Sequence, residues 1–410
     1  MNERLTQLLT IDIGHLLKMD LSKWTIVPFL MIFSVVVNMS ISINVMEMQT
    51  LSYGVLALSL LSFVVMSIFY LRTGTISLYV AVIILFQLLM FASTFINGTD
   101  IKGCFYQGCT LIFIAMAADY FKGRFHFLIC AFAISFSFCA YLNFLHLMTH
   151  PDLWIVDDLK ENQGYILGGN YNGMGCRLLC AVGTSIVCMR YSKWWILNVI
   201  PVTLISIVTL AIVKSMTSMS GIFLLLLFCL IPSYKLLKTG IIALIASVIF
   251  FQIFVCFQGK GIEQNSLAIW LVEDVLGKDI TFTYRTYMWD SASKVFANSP
   301  IFGYGLVDAE WYFSHMSSFA KGPHNFIWGI LIYGGIILLA LFTYICYMVF
   351  VKLPATNDRS ILLIYATAAT MFMMMIMEVY PPPFIITLLT LAFYAPRSQG
   401  VIELTTKESE

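Results

Sequence analysis

Residues 322–351 read GPHNFIWGILIYGGIILLALFTYICYMVFV. No charged side chain interrupts the run from Phe326 until Lys352, which exceeds the roughly 20 helical residues needed to cross about 30 Å of hydrocarbon. The stretch reads as a membrane span over 325–351. Pro323 and Asn325 are helix-starting residues, so His324 falls at the mouth of that span.

The same pattern recurs on both sides. Toward the C-terminus, 360–378 and 381–396 are apolar runs of spanning type. Toward the N-terminus, so are 25–43, 51–71, 76–97, 104–121, 125–147, 170–190, 194–213, 218–234 and 239–257. Composition agrees: 60% hydrophobic residues, 11% charged and a mean hydropathy of +0.88 describe a polytopic membrane protein and not a soluble surface. The expected fold class is therefore all-α, with about twelve transmembrane helices and a large, partly helical extracytoplasmic loop before the tenth.

Charge gives the expected orientation. With both termini cytoplasmic, each short inner loop is basic, as at Arg72, Lys122 and Arg124, Arg190 and Lys193, Lys235 and Lys238, and Lys352 and Arg359. The expected organisation is an amphipathic cytoplasmic segment over 1–24, helices one to nine over 25–257 with an outer loop at 148–169, a large outer loop over 258–324, three helices over 325–396, and a cytoplasmic tail over 397–410. A net charge of +1 offers no basic stripe for nucleic acid. The ten cysteines lie mostly in apolar runs without CxxC or CxH spacing, which disfavours zinc and disulfides.

The large outer loop carries most of the chemistry. Leu267, Trp270, Leu271 and Val275 repeat at helical spacing, and Tyr284 to Val295 reads as a second helix before a break at Pro300–Gly305. Arg285 and Trp289 are four apart, so one helix face would hold a guanidinium beside an indole. An arginine fork suits phosphate oxygens; taken alone it reads better as a solvated charge at the headgroups. His324 can accept a proton near neutral pH, or simply cap an interfacial helix end. Gly303 and Gly305 permit a sharp turn, and without a strand before them they do not make a nucleotide-binding loop. In the earlier loop, Asp157 and Asp158 adjoin Lys160 and Glu161, so a solvated charged loop competes with a site there; Trp154 and Asp157 are candidate acceptor contacts.

Taken in order, Thr283-Tyr284-Arg285-x-x-x-Trp289, Ser299-Pro300-x-x-Gly303-x-Gly305, His324-Asn325 and Gly334 closely resemble the signature of the O-antigen ligase and polymerase superfamily, which includes Wzy-type polysaccharide polymerases and the ligases that transfer O-antigen to lipid A core. The resemblance implies a GT-C-like, metal-independent inverting glycosyltransferase without cofactor, in a bacterial cytoplasmic membrane with its active site on the outer face. Donor and acceptor would be undecaprenyl-pyrophosphate-linked oligosaccharides, with membrane lipids, a flippase and a chain-length regulator as partners. Arg285 matches the arginine that holds the donor pyrophosphate, and His324 the base; Trp289, Asn325, Tyr284 and Asp157 are positioning or acceptor candidates. Where the family often has Ser-Arg-Gly, this chain has Ser218-Met219-Ser220-Gly221, leaving Arg177 and Lys214 as substitute cations for pyrophosphate. Arg177 lies within an apolar span, where a charge is costly unless paired or facing a polar cavity; its structural alternative is a partner for Asp119 or for helix carbonyls. The expected activity is polymerase, favoured by the modest outer loop, with ligase as the alternative and a secondary transporter or lipid-linked oligosaccharide flippase behind both.

Overall fold

Apolar runs bounded by capping residues become helices throughout the computed structural model, which describes residues 20–41, 49–154, 165–168, 173–275, 279–282, 284–317 and 322–396. In chain order the main helices are α1 (Ile26–Ser40), α2 (Gln49–Leu71), α3 (Leu78–Asn97), α4 (Ile101–Tyr120), α5 (Phe125–Thr149), α6 (Met174–Cys188), α7 (Ile196–Ile212), α8 (Met216–Leu230), α9 (Tyr234–Phe251), α10 (Arg285–Asn298), α11 (Ala309–His315), α12 (Phe326–Phe350), α13 (Arg359–Met375) and α14 (Pro382–Tyr394). Side chains stop the frayed ends: Ser77 accepts from Val80 N, Asp100 from Gly103 N and Asp358 from Ser360 N and Ile361 N.

The expected twelve-span, GT-C-like architecture is corrected. Among the described residues, seven helices are long and apolar enough to cross a membrane: α2, α3, α4, α5, α7, α9 extended to Cys256, and α12. The other five expected spans are shorter apolar helices, α1, α6 and α8 of 15 residues each, α13 of 17 and α14 of 13. At about 1.5 Å per residue they reach roughly 20–26 Å, short of about 30 Å. Local chemistry sets these limits. Ile41 leaves α1 for an isolated bridge to Leu167, α8 ends before Pro232, and α14 begins only after Pro381. Every residue of α6 and α14 is buried, so their apolar character serves helix packing, which composition alone does not separate from lipid contact.

Of the expected 1–24 segment, residues 1–19 lie outside the described residues, and Leu21–Lys23 form a single 3₁₀ turn. The tail 397–410 also lies outside them. Within the outer loop, a short helix at Ser266–Ile269 runs into a π-helical stretch, Trp270–Val275, and α10 occupies the second expected position.

Helix α12 is broken where the sequence suggested one continuous span. Gly334 has φ −147° and ψ 19°, and Gly335 has φ 62° and ψ −159°. The turn after Pro300 heals the break: Tyr304 N donates to Ile332 O at 2.7 Å, Gly305 N to Tyr333 O at 2.8 Å, and Ile336 N to Pro300 O at 2.9 Å. A Cβ on Gly303 would collide with Ile332 O, and one on Gly335 with Ile301 O. Two glycine pairs thus lock a loop into a helix and give backbone groups at the break hydrogen-bond partners.

The basic turns meet at one end of the bundle. Arg190 pairs with Asp358 at 2.7 Å, and Lys238 Nζ donates to Pro354 O and Asn357 Oδ1 at 2.8 Å each. The beginning of α12, the end of α13 and α10 lie at the other.

Candidate functional site

Asn325 organises that other end. It is fully buried as the cap of α12, its Oδ1 accepting from Trp328 N at 3.0 Å. Its Nδ2 donates to Gln252 Oε1 at 2.8 Å and to Ile376 O at 3.0 Å. One amide therefore ties the end of α9, the start of α12 and the segment after α13. Ile376 precedes Glu378 by two residues, so the clamp that fixes His324 also fixes its partner.

His324 takes φ 43°, a conformation uncommon for a residue with a side chain and concentrated at functional sites. Its Nδ1 lies 3.2 Å from Glu378 Oε2, with the two side chains 23% and 14% exposed. The pair is open enough to be reached and dry enough for its electrostatics to count. Burial pushes the Glu378 carboxyl up, but the charge of His324, its hydrogen bond, Arg285 and a backbone bond from Val379 N together outweigh it, and the net shift is below the ordinary carboxylate value.

Arg285 begins α10 and points Nη1 toward Met377 Sδ at 3.9 Å. It acts on both Glu378 and Tyr380. The Tyr380 hydroxyl is 3.2 Å from Ser218 Oγ, to which Ser215 Oγ donates at 2.9 Å. Ser218, the first residue of the Ser-Met-Ser-Gly stretch, thus reaches the site through Tyr380.

The other sequence candidates distribute unevenly. Trp289 is fully buried against Phe282, ring centroids 6.1 Å apart, and not over the Arg285 guanidinium; it shares the helix but faces the core. Tyr284 is exposed at φ 64°, the residue before α10. Arg177 is buried, its Nε donating to Ser40 O at 2.8 Å, its Nη1 to Gly173 O, and its guanidinium 4.5 Å above the Phe384 ring. Carbonyl partners are those that the structural alternative for Arg177 named, whereas Asp119 meets Lys122 and Tyr70. Lys214 is exposed in the left-handed turn between α7 and α8. Asp157 and Asp158 lie outside the described residues. Among the described residues no group of three or more His, Cys, Asp or Glu is gathered as for a metal ion.

Glu378, Tyr380 and Gln252 escaped the reading of the sequence, and Ser218 entered it only as the first residue of the Ser-Met-Ser-Gly stretch. Glu378 had a signal, as the lone acid in MFMMMIMEVYPPPF, because an ionisable residue within an apolar stretch marks a site. Tyr380 and Gln252 had none.

Residues 182–343 match a family model described as O-antigen ligase. The match takes in Ser218, Arg285, His324 and Gly334 and stops before Glu378. No curated protein and no solved structure matches the chain.

Proposed function

We propose, from the match of residues 182–343 to an O-antigen ligase family model, that the chain transfers a glycan from a lipid-linked diphosphate donor to an acceptor hydroxyl at the outer face of a bacterial cytoplasmic membrane. The observation that carries the reading is the His324–Glu378 pair with Arg285 beside it. The collection of basic turns at the opposite end supports an outward-facing site.

The chemistry follows from which nitrogen is engaged. With Nδ1–H donating to the Glu378 carboxylate, Nε2 of His324 is the nitrogen that keeps its lone pair. As the acceptor oxygen bonds to the anomeric carbon, its proton passes to Nε2, and the bond from that carbon to the diphosphate oxygen breaks with inversion. Glu378 stabilises the imidazolium formed, and Arg285 takes up charge on the departing lipid diphosphate. Arg177 and Lys214 enter this proposal as second cations only. Arg177 already has carbonyl partners, so its variants should lose stability as well as rate.

The family description favours the ligase reading, with lipid A core or a protein as acceptor. The modest outer loop supports a polymerase, in which a second lipid-linked repeat unit is the acceptor. Incubating purified protein with lipid-linked repeat unit alone separates them: chain extension identifies a polymerase, and transfer that appears only when another acceptor is added identifies a ligase. Absence of transfer under both conditions from folded protein would sink the proposal.

A further inference from the structure

Beneath the His324–Glu378 pair, α9, α12 and α13 enclose a cavity of ≈ 340 Å³, within the range of pockets that hold small-molecule ligands. Its α12 lining comes from both sides of the glycine break, Phe326 and Ile327 above and Leu339 and Phe342 below. Ile249 on α9 and Ile253 in the turn that follows it line the cavity while remaining 53% and 49% exposed, so its rim is apolar and suited to hydrocarbon. The walls are almost wholly apolar; of the two polar side chains that line it, Thr343 already donates to Leu339 O at 2.8 Å and Gln252 is the exception. Gln252 is only 6% exposed and lines the cavity, and its Nε2 has no hydrogen-bond acceptor. A buried N–H donor without an acceptor is costly. Gln252 also opens a π-helical turn, Gln252–Cys256, a distortion frequent at functional sites.

The orphan donor is at the right end. Its own Oε1 accepts from Asn325, the neighbour of His324, and Ile376, which also lines the cavity, is two residues from Glu378. An occupant with an apolar chain below and an acceptor oxygen at Gln252 would present its head to the His324–Glu378–Arg285 group. We infer that this cavity holds the first part of the polyprenyl chain of the lipid diphosphate donor, with an oxygen of its phosphate ester accepting from Gln252 Nε2. The inference rests on the proposed transfer reaction for the identity of the lipid. It adds where the lipid lies and what admits it.

The test uses the full chain in phosphatidylethanolamine and phosphatidylglycerol vesicles with a polyprenyl diphosphate carrying a diazirine in its first isoprene unit. Labelling is expected on peptides covering 245–257 and 339–350, competed by unlabelled polyprenyl diphosphate and not by added phosphatidylglycerol. Thr343→Trp fills the cavity from an exposed position, and Gln252→Glu keeps the acceptor for Asn325 while removing the donor. Each should lower labelling by about tenfold. Labelling elsewhere, equal competition by phosphatidylglycerol, or indifference to both substitutions would overturn the inference and make the cavity an ordinary acyl-chain site. Labelling does not require transfer, so the two readings fail separately. Cavity labelling without glycan transfer removes the reaction, and transfer without cavity labelling removes the lipid site.

Discussion

His324 Nδ1 and Glu378 Oε2 lie 3.2 Å apart although the residues come from different helix ends, and a third residue, Asn325, is bonded both to the start of α12 and to Ile376. The arrangement gives the histidine a fixed ring orientation and a negative partner. A base that must gain a proton during the reaction benefits from both.

Glu378→Gln should keep a hydrogen-bonding group in place while removing the charge that stabilises the imidazolium. The expected result is a loss of about 10²- to 10⁴-fold in kcat, with KM for the donor little changed. Initial rates of lipid diphosphate release measure it. Equal loss from Glu378→Ala and none from Glu378→Gln would assign Glu378 a packing role only.

The same carboxyl predicts a pH dependence of stability. Its folded-state ionisation lies below the ordinary value of 4.5, so its contribution is present above the unfolded value and is lost as pH falls through the lowered folded value. The Glu378 contribution should therefore be lost, and the wild-type thermal midpoint fall, below about pH 5. In Glu378→Gln that acid-side fall should be smaller. Thermal unfolding in detergent across pH 3–7 reads the difference.

Arg285→Lys retains the charge but not the planar fork, whereas Arg285→Ala removes both. Donor KM or kcat should worsen by about tenfold in the first and by about a hundredfold or more in the second. Inorganic pyrophosphate should inhibit the wild type more strongly than Arg285→Ala. Identical inhibition of the two proteins would remove Arg285 from diphosphate binding.

Gly335→Ala places a Cβ against Ile301 O in a left-handed backbone. Strain of this kind costs about 1–3 kcal/mol, and relief requires the 300–305 turn to leave the break in α12. The thermal midpoint should fall, and Pro300–Gly305 should become susceptible to proteolysis. An unchanged midpoint would show that the turn does not hold the break.

The sequence made some of this legible for identifiable reasons. Pro323 and Asn325 mark a helix start, and Asn325 caps α12. The spacing of Arg285 and His324 within a recurring set led to the family that residues 182–343 match. The count of spans failed because apolar composition is the same for α6 and α14, buried on every side, as for a helix facing lipid. Arg285 and Trp289 share a helix, yet the indole turns into the core, because i and i+4 spacing fixes proximity of backbone positions and not which neighbours a side chain meets. Glu378 was readable as an isolated acid, but its partnership with His324 is a long-range fact. It depends on Asn325 joining α12 to the segment after α13.

The most direct measurement is glycan transfer from a lipid-linked diphosphate donor by reconstituted wild type and by His324→Ala, with folding of both verified by thermal unfolding. The wild type should release lipid diphosphate in step with product, while His324→Ala should retain its fold and donor binding and lose transfer by about 10²-fold or more. Transfer by His324→Ala at the wild-type rate would contradict the assignment of the His324–Glu378 pair as the catalytic base.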